Sequence, residues 1–390
     1  MGSAHGIDEA QNWNSVMGLN ILITNICLNS RTGTELYVRD LALELKRQGH
    51  HPAVYTPIPG SIAAELQAAD IPVSSSLRAW KSRPDIIHGH HRKEALSAVL
   101  HNSGVPAIFI CHDYYAWHDT PPLHPRIRRY LGVSLACIDR LSKAGILKEK
   151  IRLTLNFVDL KRFLPRPTLP ARPRKALVFS NYANTHTHLP AIAEACRRAG
   201  LELDVAGEGV GKRTSRPEDV LEHYDIVFAK AKAAMEAMAV GTAVVLCDFI
   251  GLGPMVTSAE FDRLRLLNFG FQALREPFHP ESILREICRY DAQDAVRVRD
   301  MLRSGAGLDQ AVRGLVDIYQ EVIEEQNRAS VDPVRERTWK YHLSLFPDTL
   351  RLKVFTTWNF MKQRYGNFLT RLPGIDLLKQ VVKRILWVNR

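Results

Sequence analysis

Long hydrophobic runs, metal-ligand motifs and closely spaced cysteines are all missing from this sequence of 390 residues. No apolar stretch reaches the roughly 18 residues that a membrane-spanning helix needs. The six cysteines are widely scattered, which argues against a small disulfide scaffold and favours a reducing compartment. The opening segment is polar and mixed, unlike a standard secretion signal. We therefore expect a cytoplasmic protein.

The remaining composition is that of a globular chain, with 46% hydrophobic and 24% charged residues. A chain of this length is too long for one ordinary core, so we expect two domains and an appendage. Residues 1–17 show no periodic pattern, and we expect them to be a disordered segment or an extension outside the fold.

Acidic residues are scarce at the end of the chain. The net charge is +11, and residues 331–390 contain 12 Lys+Arg against 4 Asp+Glu. Aromatic and apolar residues alternate there with the basic ones, which predicts a basic, amphipathic helical tail that docks on an anionic membrane surface. The alternative is that these apolar faces pack back on the first domain. Nucleic acid is the less favoured partner, because the aromatic residues are interleaved with leucines.

Strand and helix patterns alternate through the rest of the chain, as in right-handed βαβ units with parallel sheets. A linker rich in proline and arginine follows residue 165, and the pattern restarts near residue 174. We therefore predict an α/β fold of two Rossmann-like doubly wound domains, at 18–165 and 174–330, facing a cleft and followed by the tail at 331–390. An apolar helical pattern over 308–325 is expected to close the second domain.

The most informative stretch lies at 224–248 and reads as strand, turn, helix and strand. The turn contains Lys230 and Lys232, and the helix surrounds one carboxylate, Glu236, with apolar and small residues. Its start falls at the carboxyl edge of a parallel sheet, where such folds hold ligands. A positive helix end with two lysines suits a phosphorylated ligand. The alternative is that all three are ordinary solvated surface charges.

Several segments, taken in order, resemble the retaining glycosyltransferases of the GT-B fold, group-1 type. The resemblance covers about residues 19–328, and the order of the segments is more specific than any one of them. The segments are RTGT at 31–34, DIIHGHH at 85–91, IFICHD at 108–113, NFVD at 156–159, EAMAVGTAVVLCD at 236–248 and GLGPMVT at 251–257.

The resemblance implies roles for individual residues. Glu236 matches the acid that hydrogen-bonds the donor ribose, and His112 matches the histidine that contacts the transferred sugar. Gly33 and Thr34 match the glycine turn of the first domain, where a missing side chain lets the donor approach the backbone. Further donor-binding positions are expected in two glycine-rich loops, at Gly207, Gly209, Gly251 and Gly253.

Three departures from the family pattern concern the donor site. Phe228 stands where the family has its first acid, and Phe157 replaces the glycine of the Asn-Gly-Val-Asp signature. The family's diphosphate-binding Arg and Lys are absent from residues 181–188. Lys230 and Lys232 are the expected substitutes, with Lys212 and Arg213 as second choice.

We therefore predict transfer of a sugar from a nucleotide diphosphate sugar to a glycan or lipid-linked acceptor, with His112, Lys230 and Lys232 as catalytic residues. No Asp-x-Asp occurs, so no metal cofactor is expected. Clustered histidines fit no standard zinc spacing, and His90 and His91 are predicted to contact the sugar or acceptor. The expected setting is cell-surface polysaccharide or glycolipid assembly on the inner membrane face. Two alternatives remain open: a catalytically silent scaffold that binds nucleic acid, and a sugar-nucleotide epimerase.

Overall fold

The computed structural model of the chain describes residues 18–80, 82–212 and 214–328, together with the isolated residue 357. The predictions made for residues 1–17, for Arg213 and for the tail at 331–390 lie outside these ranges. Within them, no helix combines the length and the apolar character that crossing a membrane requires.

The first sheet has seven parallel strands in the order β3-β2-β1-β4-β5-β6-β7. Its central strands are buried on both faces, as expected where helices cover a parallel sheet, and the strand at 86–90 carries His88 and His90 among its buried residues. The strands are β1 Asn20–Thr24, β2 His51–Tyr55, β3 Val73–Ser74, β4 Ile86–His90, β5 Ala107–Cys111, β6 Ile127–Gly132 and β7 Ile151–Leu153.

The second sheet has five strands in the order β12-β11-β10-β8-β9. Four of them are parallel, and β12 runs antiparallel to β11 at the edge. The strands are β8 Lys175–Phe179, β9 Glu202–Ala206, β10 Ile226–Ala229, β11 Ala243–Asp248 and β12 Gly251–Met255. Two Rossmann-like sheets follow each other along the chain, which confirms the predicted fold class.

Most helices of the described ranges connect successive strands and cover the sheets. The first of them, α1, begins after a capping box formed by Thr32 and Glu35, in which the backbone N–H of Thr32 donates to Glu35 Oε2 at 2.8 Å. The helices are α1 Gly33–Arg47, α2 Ser61–Ala68, α3 Arg92–His101, α4 Leu135–Lys143, α5 Leu189–Ala199, α6 Glu218–Leu221, α7 Ala231–Val240, α8 Phe261–Leu266, α9 Pro280–Ile287, α10 Ala292–Gly305 and α11 Leu308–Arg328.

The last helix corrects one expectation. The apolar side of α11 does not close the second unit but belongs to the core of the first sheet, where Val312, Leu315 and Tyr319 are buried. The chain therefore crosses between the units twice. The two crossings lie side by side, because Val158 N donates to Ala306 O at 2.8 Å and Leu308 N donates to Val158 O at 2.9 Å. Apolar periodicity predicts that a helix has a buried face, but not which core buries it.

Candidate functional site

The carboxyl edge of the second sheet leads directly into helix α7. A single residue, Lys230, separates β10 from α7, so the loop that the family resemblance would place here is reduced to one residue. Phe228 is a fully buried residue of β10. The position that the resemblance gives to the first acid is therefore occupied by a buried strand residue, and Glu236 is the acid that matches the family pattern here.

Glu236 and Lys232 lie one turn apart on α7 and meet Asp40 of α1. Lys232 Nζ lies 2.9 Å from Asp40 Oδ2 and 3.6 Å from Glu236 Oε1. The Lys232 side chain is 12% exposed, and both carboxylates are 6% exposed. A buried charge needs a partner, so this lysine joins the two units by balancing two carboxylates.

The pKa shifts of this trio follow from burial and from the shared lysine. Burial raises the pKa of Glu236, and Lys232 only partly offsets the effect. Burial would also raise the pKa of Asp40, but Lys232 and Arg39 together lower it. Burial opposes the charge on Lys232, yet Asp40 and Glu236 outweigh it and raise the lysine pKa. Lys232 is therefore a charged group already engaged by protein carboxylates, which weakens its assignment as a cation for a diphosphate.

Lys230 has a different environment. It pairs with Asp248, the last residue of β11, and its Nζ lies 5.6 Å from the ring centroid of Tyr182. The Lys230 side chain is 33% exposed, whereas that of Asp248 is 0% exposed. Of the two predicted lysines, Lys230 is the more exposed and therefore the better placed to meet a ligand.

The carboxyl edge of the first sheet carries stacked histidines. His90 Nδ1 and His112 Nε2 are 2.7 Å apart, so one nitrogen donates and the other accepts. His88 Nδ1 hydrogen-bonds the hydroxyl of Tyr319, which places α11 behind the cluster. Burial lowers the pKa of His88 and of His112 to about 3. These side chains are therefore neutral near pH 7 and can donate or accept hydrogen bonds without adding charge.

Direct contact of His90 and His91 with a sugar or acceptor is not supported by their placement. Both are buried, and only His112 of the three predicted histidines is partly exposed. His91 Nδ1 accepts from the backbone N–H of Ile26 at 2.9 Å, and His91 has a left-handed φ of 60°. We assign His90 and His91 to positioning the strand ends beneath His112.

A pair of aromatic rings connects the two polar clusters. Tyr37 of α1 lies edge-on to His112, with ring centroids 4.8 Å apart, and 4.6 Å from the ring of Phe157. Lys232 Nζ lies 5.7 Å from the centroid of Phe157. Phe157, which replaces the family's glycine, therefore fills the space between the histidines and the lysine–glutamate pair, and its cation–π contact covers the lysine.

The glycines predicted to bind the donor differ in how closely other atoms surround them. A Cβ on Gly33 would meet no heavy atom within 4 Å, so the start of α1 is open to a ligand, and Thr34 beside it is half-buried. A Cβ on Gly207 would lie 2.0 Å from Ser180 O, and one on Gly209 would lie 2.3 Å from Ala183 O. Internal packing of the 181–188 loop already requires glycine at these two positions.

Gly251 and Gly253 do not form the expected loop. They belong to β12, and added Cβ atoms would meet Leu274 O at 2.8 Å and Ala273 O at 2.7 Å, respectively. This corrects the sequence-based prediction, because an apolar glycine-rich segment also suits an edge strand against which another backbone packs closely. Lys212, from the second-choice pair, is exposed. Among the residues that the structure describes, no group of His, Cys, Asp or Glu is arranged to hold a metal.

Asp40 and Asp248 are site residues that the sequence analysis missed. Asp40 follows Tyr37 by three residues and precedes Glu44 by four, so it lies on the buried face of α1. Asp248 ends an apolar strand at the ligand-binding edge of the sheet. A charged residue on a buried helical face, or at the end of a buried strand, is the signal that could have found them.

The two facing sheets, with polar clusters at their carboxyl edges, define a GT-B architecture. Residues 31–162 match the model of the family described as Glycosyltransferase Family 4, so this part of the chain is identified as a domain of that family. Search of curated protein sequences gave no match.

Solved structures support the fold assignment at low sequence identity. A glycosyltransferase from Rickettsia africae has a TM-score of 0.57 at 16% identity, covering 80% of this chain and 100% of its own. Anabaena Alr3699/HepE, solved in complex with UDP-glucose, has a TM-score of 0.56 at 15% identity, with 78% and 100% covered. Sucrose-phosphate synthase from Thermosynechococcus elongatus has a TM-score of 0.57 at 13% identity, with 78% and 99% covered. At these identities, the likeness establishes the fold.

Proposed function

We propose that this protein is a glycosyltransferase that moves a sugar from a nucleotide diphosphate sugar to an acceptor, with retention at the anomeric carbon. The donor binds the second unit, and the acceptor binds the first. The observation that carries the proposal is Glu236, a buried carboxylate on the helix that leaves the carboxyl edge of the second sheet. The family match over 31–162 and a UDP-glucose complex of similar fold support the same reaction class.

The proposed roles differ between the charged groups of the second unit and the neutral histidine of the first. Glu236 accepts hydrogen bonds from two ribose hydroxyls, since a carboxylate can take both at once. Lys230 and the amino end of α7 offset the charge that develops on the leaving diphosphate. His112, neutral and partly exposed, hydrogen-bonds the transferred sugar. We propose that these protein groups replace a metal ion in the reaction.

Donor binding tests the proposal through a glutamate substitution. Titration calorimetry with UDP-, GDP- and ADP-sugars should show one tight donor for the wild type. Glu236→Gln should weaken that donor by about 1.5 to 3 kcal/mol, the typical loss of a hydrogen bond to a charged group. Because burial raises the pKa of Glu236, donor affinity should also fall on acidification at a pH above its ordinary 4.5.

Glu44→Gln is the matched control, since Glu44 is a buried carboxylate near the carboxyl end of α1 and pairs with Arg47. It should leave donor affinity unchanged. Equal affinity of the wild type and a folded Glu236→Gln variant would remove the basis of the donor assignment.

We further propose that the acceptor is glycan or lipid-linked, in cell-surface polysaccharide or glycolipid assembly at an anionic membrane face. The support is the charge of residues 331–390, with 12 Lys+Arg against 4 Asp+Glu. Each basic residue near such a surface contributes about 1 kcal/mol. The full chain should sediment with vesicles containing anionic lipid and dissociate from them as salt is raised. Equal sedimentation with purely zwitterionic vesicles, or none at physiological salt, would contradict it.

A further inference from the structure

A second polar cluster at the carboxyl edge of the second sheet is centred on Asp248. Its carboxylate, at the end of β11, is fully buried and pairs with Lys230 at the start of α7. One third of the Lys230 side chain is exposed. The pair is therefore asymmetric, because the carboxylate is fully buried, whereas the lysine side chain is partly exposed and its Nζ lies over the ring of Tyr182.

His188 is buried within electrostatic range of this pair, and its ring stacks on Phe278. It is 1% exposed, at the position preceding α5, and neither ring nitrogen has a hydrogen-bond partner among the described residues. Both Asp248 and Lys230 act on it electrostatically. Buried polar groups in native proteins are nearly always satisfied, so an exception calls for an explanation. His188 therefore adds an unsatisfied polar group to the protein interior close to the buried Asp248 carboxylate.

The pairing fixes what Lys230 can do. An ammonium has three N–H donors, and Asp248 does not use them all, so the rest can reach a ligand. The Lys230 ammonium cannot move away from Asp248 at low cost, because the carboxylate would then be buried and unpaired. An exposed lysine without such a partner would lose side-chain entropy when it binds a ligand, whereas Lys230 is already held in place by Asp248.

We propose that Asp248 is a positioning residue that holds Lys230 at the amino end of α7 to receive the diphosphate of the donor. The proposal for Asp248 rests on the proposed function, to which it adds one residue and separate roles for Asp248 and Lys230. Asp248 fixes the position of the ammonium and lowers the net charge of the pair. It therefore orients the lysine for the reaction without strengthening the binding of the diphosphate. Lys230 itself makes the contact with the diphosphate.

Three variants separate these roles: Lys230→Met, Asp248→Asn and the combination of both. Calorimetry with UDP, GDP and ADP, and with the corresponding nucleosides, measures binding, and turnover of the preferred nucleotide sugar measures the rate. Lys230→Met should weaken the nucleoside diphosphate at least 10-fold and leave the nucleoside unchanged. Asp248→Asn should bind the nucleoside diphosphate as tightly as the wild type or several-fold more tightly, while kcat falls about 10-fold. The double variant should regain thermal stability relative to Lys230→Met.

The matched control is Lys175→Met, at the amino edge of the same sheet, where Lys175 pairs with Glu202 at 3.7 Å. It should change neither binding nor rate. If the wild type binds a nucleoside diphosphate and Lys230→Met binds it equally well, the assignment is wrong while the proposed function stands. An Asp248→Asn variant with unchanged kcat, or with equal losses for nucleoside and diphosphate, also overturns it. A wild type that binds no nucleoside diphosphate overturns the proposed function as well.

Discussion

The carboxyl edges of the two sheets bring polar side chains together in opposite electrostatic ways. On the first sheet, burial keeps His88, His90 and His112 neutral, and they bond to each other and to Tyr319. At the second sheet, Lys230 pairs with Asp248, and Lys232 pairs with Glu236 and with Asp40 of α1. Neutral groups suit sugar hydroxyls, and a partly exposed lysine such as Lys230 suits a diphosphate. The comparison therefore supports a division in which one unit handles sugar and the other handles phosphate.

The largest expected effect on stability comes from removing the lysine that Asp40 and Glu236 share. Lys232→Met leaves the carboxylates of Asp40 and Glu236 buried without their shared cation, which should cost about 3 to 5 kcal/mol in the free energy of unfolding. Urea unfolding at neutral pH measures it. Lys175→Met, which breaks an exposed pair, should stay within about 0.5 kcal/mol of the wild type. A loss for Lys232→Met no larger than that of the control would mean that the buried trio does not hold the units together.

Gly209 in the second unit and Gly33 in the first test whether a glycine is required for internal packing or for access of a ligand. Gly209→Ala should destabilise the fold by about 1 to 3 kcal/mol, since its Cβ would lie 2.3 Å from Ala183 O. Gly33→Ala should keep or slightly raise stability, because the position is open and lies in the first turn of a helix. The same Gly33→Ala variant should bind the donor more weakly if the start of α1 faces it. Thermal unfolding and donor calorimetry on both variants check this, and reversed stabilities would refute the assignment.

The smallest expected effect concerns the neutral side and its pH dependence. A histidine with a pKa of about 3 in the folded protein and an ordinary value when unfolded makes the unfolded state bind more protons below neutrality. Stability therefore rises with pH and is lost on acidification. From pH 7 to about 5.5, one such histidine costs about 1.3 kcal/mol. His88→Asn should flatten the pH dependence of unfolding by that amount.

His223→Asn is the control for this measurement, because the side chain of His223 is 68% exposed. It should leave the pH dependence of unfolding as in the wild type. A His88→Asn variant with the wild-type pH dependence would mean that His88 is not held neutral by burial.

Local sequence patterns determined much of this protein. Apolar runs of strand length and the capping residues Thr32 and Glu35 fix where elements begin, and alternation of strand and helix fixes the parallel sheets. The same patterns placed Glu236 and Lys230 at a sheet edge, because the carboxyl ends of parallel strands meet there. These are properties of neighbouring residues, so one chain segment at a time suffices to predict them.

Contacts between distant segments were decided only by the tertiary structure. Lys230 and Lys232 lie two residues apart in the sequence, yet the partly exposed Lys230 pairs with Asp248 of the same unit, and the largely buried Lys232 pairs with Asp40 of α1. Helix α11 has an apolar face that either core could bury, and Tyr319 packs against the first. A side chain's partner depends on which surfaces meet after the chain has crossed between the units. No local periodicity encodes that choice, since it comes from packing across nearly 200 residues of sequence, as between Asp40 and Lys232.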